Sequence, residues 1–225
     1  MTGTLVNTAA VLAGSALGVG LSGRLPMRIK EILLQGLGLS TVFIGISMAV
    51  SGSDSLLVVG CVVAGGLCGE ILRIEDQLAR LAEGLKAALK SGSDKFVEGF
   101  VSASLMYLVG PITILGCLAD GVSHDPELLY IKSILDGFAA LALASSLGVG
   151  VLFSAVSVFV VQAAITLGAG HLGFLQEKAV LSAITATGGV LILGIGLNLL
   201  ELKKIRTGNL LPALVFAVIA AMMKG

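Results

Sequence analysis

The chain has 225 residues and no net formal charge; 56% of it is apolar, 12% charged, and its mean hydropathy is +1.04. A soluble domain carries about 25% charged residues, so charge this sparse cannot clothe a water-facing surface. A balance of zero also excludes a global electrostatic pull toward nucleic acid.

Eight apolar segments follow one another, at about 3–21, 37–51, 55–72, 96–118, 128–148, 151–170, 179–200 and 208–223. Crossing a bilayer's hydrocarbon core takes about 20 apolar residues, roughly 17 at the short end. The pattern predicts an all-α polytopic membrane protein, one integral domain over 1–225 with halves at about 1–118 and 128–225. Segments 2 and 8 are the short ones. The first segment lacks a positive leader region and opens on Thr4, Asn7 and Thr8, so it reads as a span and not a removed signal. Between segments 1 and 2, "PMRIKEILLQG" (26–36) begins with proline, a good first helical residue, and reads as a surface helix. After segment 3, "EDQLARLAEGLKAALK" (75–90) sets Leu78, Leu81, Ala82, Leu85 and Leu89 on one face with charges opposite. That face suits the membrane interface, or alternatively a cytoplasmic partner. "ADGVSHDPELL" (119–129) reads as an external turn, with Asp125-Pro126 starting the next helix.

Cytoplasmic loops are enriched in Lys and Arg. Arg24, Arg28 and Lys30 lie in loop 1; Arg73, Arg80, Lys86, Lys90 and Lys95 in loop 3; Lys203, Lys204 and Arg206 in loop 7. Odd loops thus hold 11 of the 14 basic residues, and only Lys132, Lys178 and Lys224 fall elsewhere. Odd loops are expected inside and both termini outside.

Internal repeats are visible. Leu17, Gly18, Gly20 and Gly23 match Leu167, Gly168, Gly170 and Gly173; "FIGIS" (43–47) matches "LGIG" within "ILGIGLN" (192–198); "LLVVGCVVAGG" (56–66) matches "LLPALVFAVIAA" (210–221). "EGFVSASLMYLVGP" (98–111) matches "DGFAALALASSLGV" (136–149), acid to acid and Gly110 to Gly148. Segments 1, 2, 3 and 4 thus resemble 6, 7, 8 and 5. Each index difference is odd, so partners cross in opposite directions: an inverted-topology repeat, its second half permuted. Many secondary transporters are built this way, with sites near the midplane; a symmetric scaffold without substrate is the plainer reading.

Ionisable residues inside a membrane are costly, and so are functional candidates. Asp136 lies about eight residues into segment 5, one turn after Lys132, and the two can simply neutralise each other. Glu98 heads segment 4, where a solvated interfacial carboxylate is the ordinary reading. Gly110-Pro111 breaks segment 4, because proline removes a backbone donor. Ser102, Ser104 and Tyr107 precede that break, Thr113 follows it, and the set could ligate a small polar solute or a cation such as Na⁺; a packing kink is equally open. Gly148-Val149-Gly150 reads either as a second break or as a tight turn. Asn7, Gln162, Asn198 and Asn209 sit in or beside apolar runs, where amides usually bridge helices; of these, Asn7 and Asn198 join the pathway candidates. Gly14-x3-Gly18 and Gly65-x3-Gly69 permit close helix contact, within the bundle or in a homo-oligomer.

"GVGLSG" (18–23) and "GAGHLG" (168–173) fit a dinucleotide fingerprint, but that motif needs a preceding strand and a following acid. Cys61, Cys68 and Cys117 have no metal-ligand spacing to a histidine, and His124 and His171 are lone loop residues. No metal and no cofactor are expected. No nucleophile–base pair is visible, so an enzyme ranks behind a transporter and a scaffold.

"GTLVN" (3–7), "GEILRIE" (69–75), "EGFVSASLMYLVGPITILG" (98–116), "KSILDGFA" (132–139) and "GIGLNLLELKKIRTGNLLPAL" (194–214) together resemble the YdfK/YqgA-type bacterial inner-membrane proteins, a family of unknown function. The resemblance spans nearly the whole chain and implies a multi-pass protein of the bacterial inner membrane. The expected role is a secondary transporter or channel-like permease for a small polar solute or ion, with Na⁺ or H⁺ as coupling ions. Its partners are then the lipid bilayer and that solute. The alternative is a scaffold or sensor whose helix at 75–90 binds a partner.

Overall fold

The computed structural model describes residues 1–22, 26–51, 54–88 and 94–224. Helices dominate these residues and no strand occurs among them. In chain order they are α1 (Thr2–Ser22), α2 (Met27–Val50), α3 (Ser55–Leu72), α4 (Ile74–Ala88), α5 (Phe96–Leu108), α6 (Pro111–Val122), α7 (Glu127–Leu147), α8 (Gly150–Gly168), α9 (Lys178–Leu199) and α10 (Pro212–Lys224). Short 3₁₀ turns at Ala169–His171, Gly173–Gln176 and Thr207–Leu210 join the later helices. Among the described residues neither glycine fingerprint follows a strand: 18–22 end α1, and 168–173 begin at the last residue of α8. Gly23, Arg24, Leu89, Lys90 and Ser91 lie outside the described residues, as do the side chains of Lys30, Pro111 and Lys224.

α1, α2 (over Glu31–Val50), α3, α7, α8 and α9 are each long and apolar enough to cross a membrane. α5 and α6 together would make a seventh span, bent by 62°, and the Thr207–Met223 stretch is shorter than a full crossing. The surface helix expected at 26–36 is not separate: it runs on into segment 2 as α2. Hydropathy sees the lipid-contacting part of a helix, and the basic first turns of α2 fall outside that window. Segment 4 divides into α5 and α6 at the Gly110-Pro111 break.

α1 shows how such a chain is sorted. It buries Gly3, Thr4, Asn7, Val11, Gly14, Ser15 and Gly18, and exposes Leu5, Leu12 and Leu17. Small and polar groups face the protein while leucines face outward. Lipid gives leucine no reason to turn inward, so close packing and hydrogen bonds decide the inner face.

The described helices form two compact units. Unit 1 contains Met1–Leu37, Ala79–Leu108 and Ile112–Leu172; unit 2 contains Gly38–Leu78, Val109–Pro111 and Gly173–Gly225. In unit 1, α1 packs along α7 in parallel: Gly3 meets Leu129, Gly14 meets Gly137, and Gly18 meets Leu141 and Ala144. α5 packs along α8, also in parallel, with Gly150 against Phe96 and Gly99 against Leu147 and Val151. The far part of α4 closes this unit, Ala82 packing on Phe96 and Phe100. In unit 2, α3 packs antiparallel to α10, Gly65 against Ala213 and Gly69 against Asn209. Both small-residue spacings therefore serve contacts inside a unit.

Gly148 ends α7 at φ +80°, and its N–H still reaches the Ala144 carbonyl. The Gly148-Val149-Gly150 stretch is thus a tight turn between two helices. A left-handed φ there favours glycine.

Candidate functional site

α7 brings a buried pair of opposite charges into unit 1. Lys132 and Asp136 stand one turn apart on a helix, so their side chains meet on one face. Lys132 Nζ donates to Asp136 Oδ1 at 2.8 Å and to Oδ2 at 2.7 Å. The ammonium covers both carboxylate oxygens. Lys132 is 7% exposed and Asp136 6%. A third group arrives from α1: Asn7 Nδ2 donates to Asp136 Oδ2 at 3.0 Å, bridging 129 positions of sequence. That bond fixes the Asn7 amide, because only its nitrogen can donate to a carboxylate.

One turn toward the start of α1, Thr4 Oγ1 meets Thr166 Oγ1 of α8 at 3.2 Å. Nearer still to the chain start, Asp120 of α6, 2% exposed, accepts the Gly3 N–H at 3.0 Å and pairs with the amino terminus at 2.9 Å. The sequence reading placed Asp120 in an external turn. α6 instead continues to Val122 and carries it inside.

The other candidates are dispersed. Glu98 lies in the first turn of α5 and is exposed, whereas its repeat mate Asp136 is buried. Ser102 and Ser104 are buried, and Ser104 donates to Ser157 of α8 at 3.1 Å. Gly110 has φ +156° and open space where a Cβ would stand. Pro111 cannot give the N–H that an unbroken helix would send to the Tyr107 carbonyl. Thr113 Oγ1 donates to that carbonyl instead, at 3.1 Å. The break is thus closed by a side chain, as broken helices at membrane depth require. Asn198 uses both ends of its amide on Ile205, donating to its carbonyl at 2.8 Å and accepting its N–H at 2.7 Å. It pins the loop after α9.

A second polar cluster sits in unit 2, where α3 ends. Glu70 accepts from Arg206 and from Asn209, each at 2.7 Å. Asn209 accepts the Glu75 N–H at 2.7 Å, and the Glu75 carboxylate accepts the Gly208 N–H at 2.7 Å. Burial pushes the Glu75 carboxyl up, partly opposed by that Gly208 N–H. The Glu70–Arg206 pair is more than half exposed. This latch joins "GEILRIE" to "KKIRTGN". Its carboxylates and amide are occupied with one another, so it reads as structure.

A family model described as "Protein of unknown function (DUF554)" matches residues 2–222. The chain belongs to that family. It is 30% identical over 221 residues to "Uncharacterized protein YqgA" of Escherichia coli (strain K12), covering 96% of this chain and 94% of that one. It is 32% identical over 218 residues to "Uncharacterized membrane protein YdfK" of Bacillus subtilis (strain 168), covering 95% and 93%. No solved structure matches the chain. Among the described residues, no group of three or more His, Cys, Asp or Glu could hold a metal ion. Cys61, Cys68 and Cys117 are free thiols. This DUF554 member is a membrane protein whose charged centre is the Lys132–Asp136 pair with Asn7.

Proposed function

We propose that this protein is a secondary transporter or channel-like permease for a small polar solute or ion, with the Lys132–Asp136 pair in its pathway. One observation carries the reading: a nearly inaccessible ion pair, hydrogen-bonded from a second helix, within helices built to cross a membrane. Burying two charges costs several kcal/mol each before their attraction is counted, and a pair of leucines would pack there more cheaply. Asp136, not the exposed Glu98, is the coupling acid of this reading. A non-enzymatic role goes with it.

The setting is the bacterial inner membrane, crossed eight times with both termini outside. In this reading the eight crossings would be the six long helices, the bent α5–α6 pair and the short α10, which is apolar but below the length of a full span. The inverted repeat draws support from packing. If α1 corresponds to α8 and the α5–α6 pair to α7, then the α1–α7 and α5–α8 contacts are equivalent, and both are parallel.

The test is flux through proteoliposomes holding the full chain, over a panel of alkali cations, chloride, amino acids and neutral solutes. At least one probe should move faster than in protein-free vesicles, and Asp136→Asn should slow it at least tenfold. Undiminished flux in folded Asp136→Asn would remove the pair from the mechanism. Tight vesicles, together with loss of a co-purifying partner on deletion of 75–90, would favour the scaffold.

A further inference from the structure

Around the ion pair stand polar groups with no partner among the described residues. Asn7 Oδ1, both ends of the Gln162 amide and the Tyr107 hydroxyl are buried without a hydrogen bond. Asn7 and Gln162 are fully buried and Tyr107 is 1% exposed. Buried polar groups are rarely left unpaired, and each one calls for an explanation.

Three helices bring these groups to one level of unit 1. α8 leaves the C-terminal end of α7 at Gly148 and returns Thr166 to Thr4, beside the α7 N-terminal end. It therefore runs against α1. One turn inward from the threonine pair, α1 presents Asn7 and α8 presents Gln162. α5 runs along α8 with Ser104 on Ser157, which sets Tyr107, one turn further on, at about the level of Gln162 along α8. Tyr107 also lies within electrostatic reach of Asp136.

We propose that these groups bind a small uncharged solute carrying both hydrogen-bond donors and acceptors, of the amide, urea or polyol class. The inference rests on the transport reading and names its substrate class. The charged groups already satisfy each other: Lys132 covers both oxygens of Asp136, Asn7 adds a third bond, and the formal charges cancel. What is left over is neutral and of both senses: two amide oxygens, one amide NH₂ and one hydroxyl. A cation would face the Gln162 NH₂ and the Lys132 ammonium. An anion would face two amide oxygens and the Asp136 carboxylate. Either would bring uncompensated charge into a low-dielectric interior. A neutral solute gives N–H or O–H to the amide oxygens, takes bonds from the amide and phenol, and adds no charge. The unpaired groups are then a binding surface held ready, its cost borne by the fold when the solute is absent.

Osmotic shrink–swell measurements on full-chain proteoliposomes test this, with acetamide, urea and glycerol set against NaCl and KCl. At least one neutral probe should re-swell the vesicles faster than protein-free controls. Gln162→Leu and Tyr107→Phe should each slow that step at least tenfold. Gln162→Leu should also unfold no earlier than wild type, since it removes an unpaired amide from apolar surroundings. Tyr107→Phe deletes one oxygen in place and serves if the leucine variant does not fold. Full-rate neutral flux in both variants overturns the site. Salt flux without neutral flux overturns the solute class and leaves the transport reading standing. Vesicles tight to every probe overturn both.

Discussion

Lys132 sits on both oxygens of Asp136, and the two side chains depend on each other. Removing one partner of a buried pair strands the other, at about 3–5 kcal/mol. Lys132→Met and Asp136→Leu are each expected to destabilise by about that much, while the double variant should unfold near wild type or above it. Denaturant unfolding in detergent reads the cycle, and additive losses would show that the charges do not lean on each other. The pair itself was legible in sequence, since i,i+4 spacing fixes the contact on any helix. Its third member was half legible: Asn7 stood out as an amide in an apolar run, but nothing local tied it to a residue 129 positions away. Asn198 shows the converse. The same chemistry beside an apolar run marks a loop staple on Ile205, because an amide at a helix end finds backbone to bind. Only tertiary placement separates those two asparagines. Asp120 was missed because hydropathy ended segment 4 before the helix ended.

Helices were the most legible level, since runs of apolar residues near the length of a span admit little else. The expected 55–72 coincides with α3, and α7, α8 and α9 each begin and end within two residues of expectation. Misreadings fell where lipid contact and helix part company, at the basic start of α2 and the far end of α6, whereas the break before α6 falls at the expected Gly110-Pro111. How helices approach was written in single glycines, but which glycine mattered was not. A Cβ on Gly14 would run into the Gly137 backbone carbonyl, whereas one on Gly137 would meet Ala10 O at 3.4 Å, an ordinary contact. Carbonyls cannot step aside as side-chain ends can. Gly14→Ala should therefore force α1 off α7 and destabilise by about 1–3 kcal/mol, as overpacking does. Gly137→Ala should be close to neutral or slightly stabilising, since alanine is the better helix former. Thermal unfolding of the two variants compares them directly, and equal losses would contradict the asymmetry.

On the scale of the molecule, the two units carry polar clusters of opposite character: buried around Asp136 in unit 1, solvent-reaching around Glu70 and Arg206 in unit 2. An exposed ion pair adds little to stability, so the Glu70–Arg206 pair is at home in a water-facing loop region. In the topology proposed from the charge pattern, the same region, with Lys203 and Lys204, lies in the cytoplasm. α9 separates it from Lys178, which is exposed at the other end of 22 helical residues. Such a helix is about 33 Å long at ~1.5 Å per residue, enough for a hydrocarbon core of about 30 Å. The proposed topology therefore puts Lys178 outside and Lys203 inside. Single Lys178→Cys and Lys203→Cys variants, in a background without the three native cysteines, should label oppositely with a membrane-impermeant maleimide. Lys178→Cys should react in intact cells, and Lys203→Cys only after permeabilisation. The reverse pattern would turn the whole topology over, termini included. Equal labelling would mean that α9 does not cross, and would reduce the proposed eight crossings to an odd count that puts the termini on opposite sides.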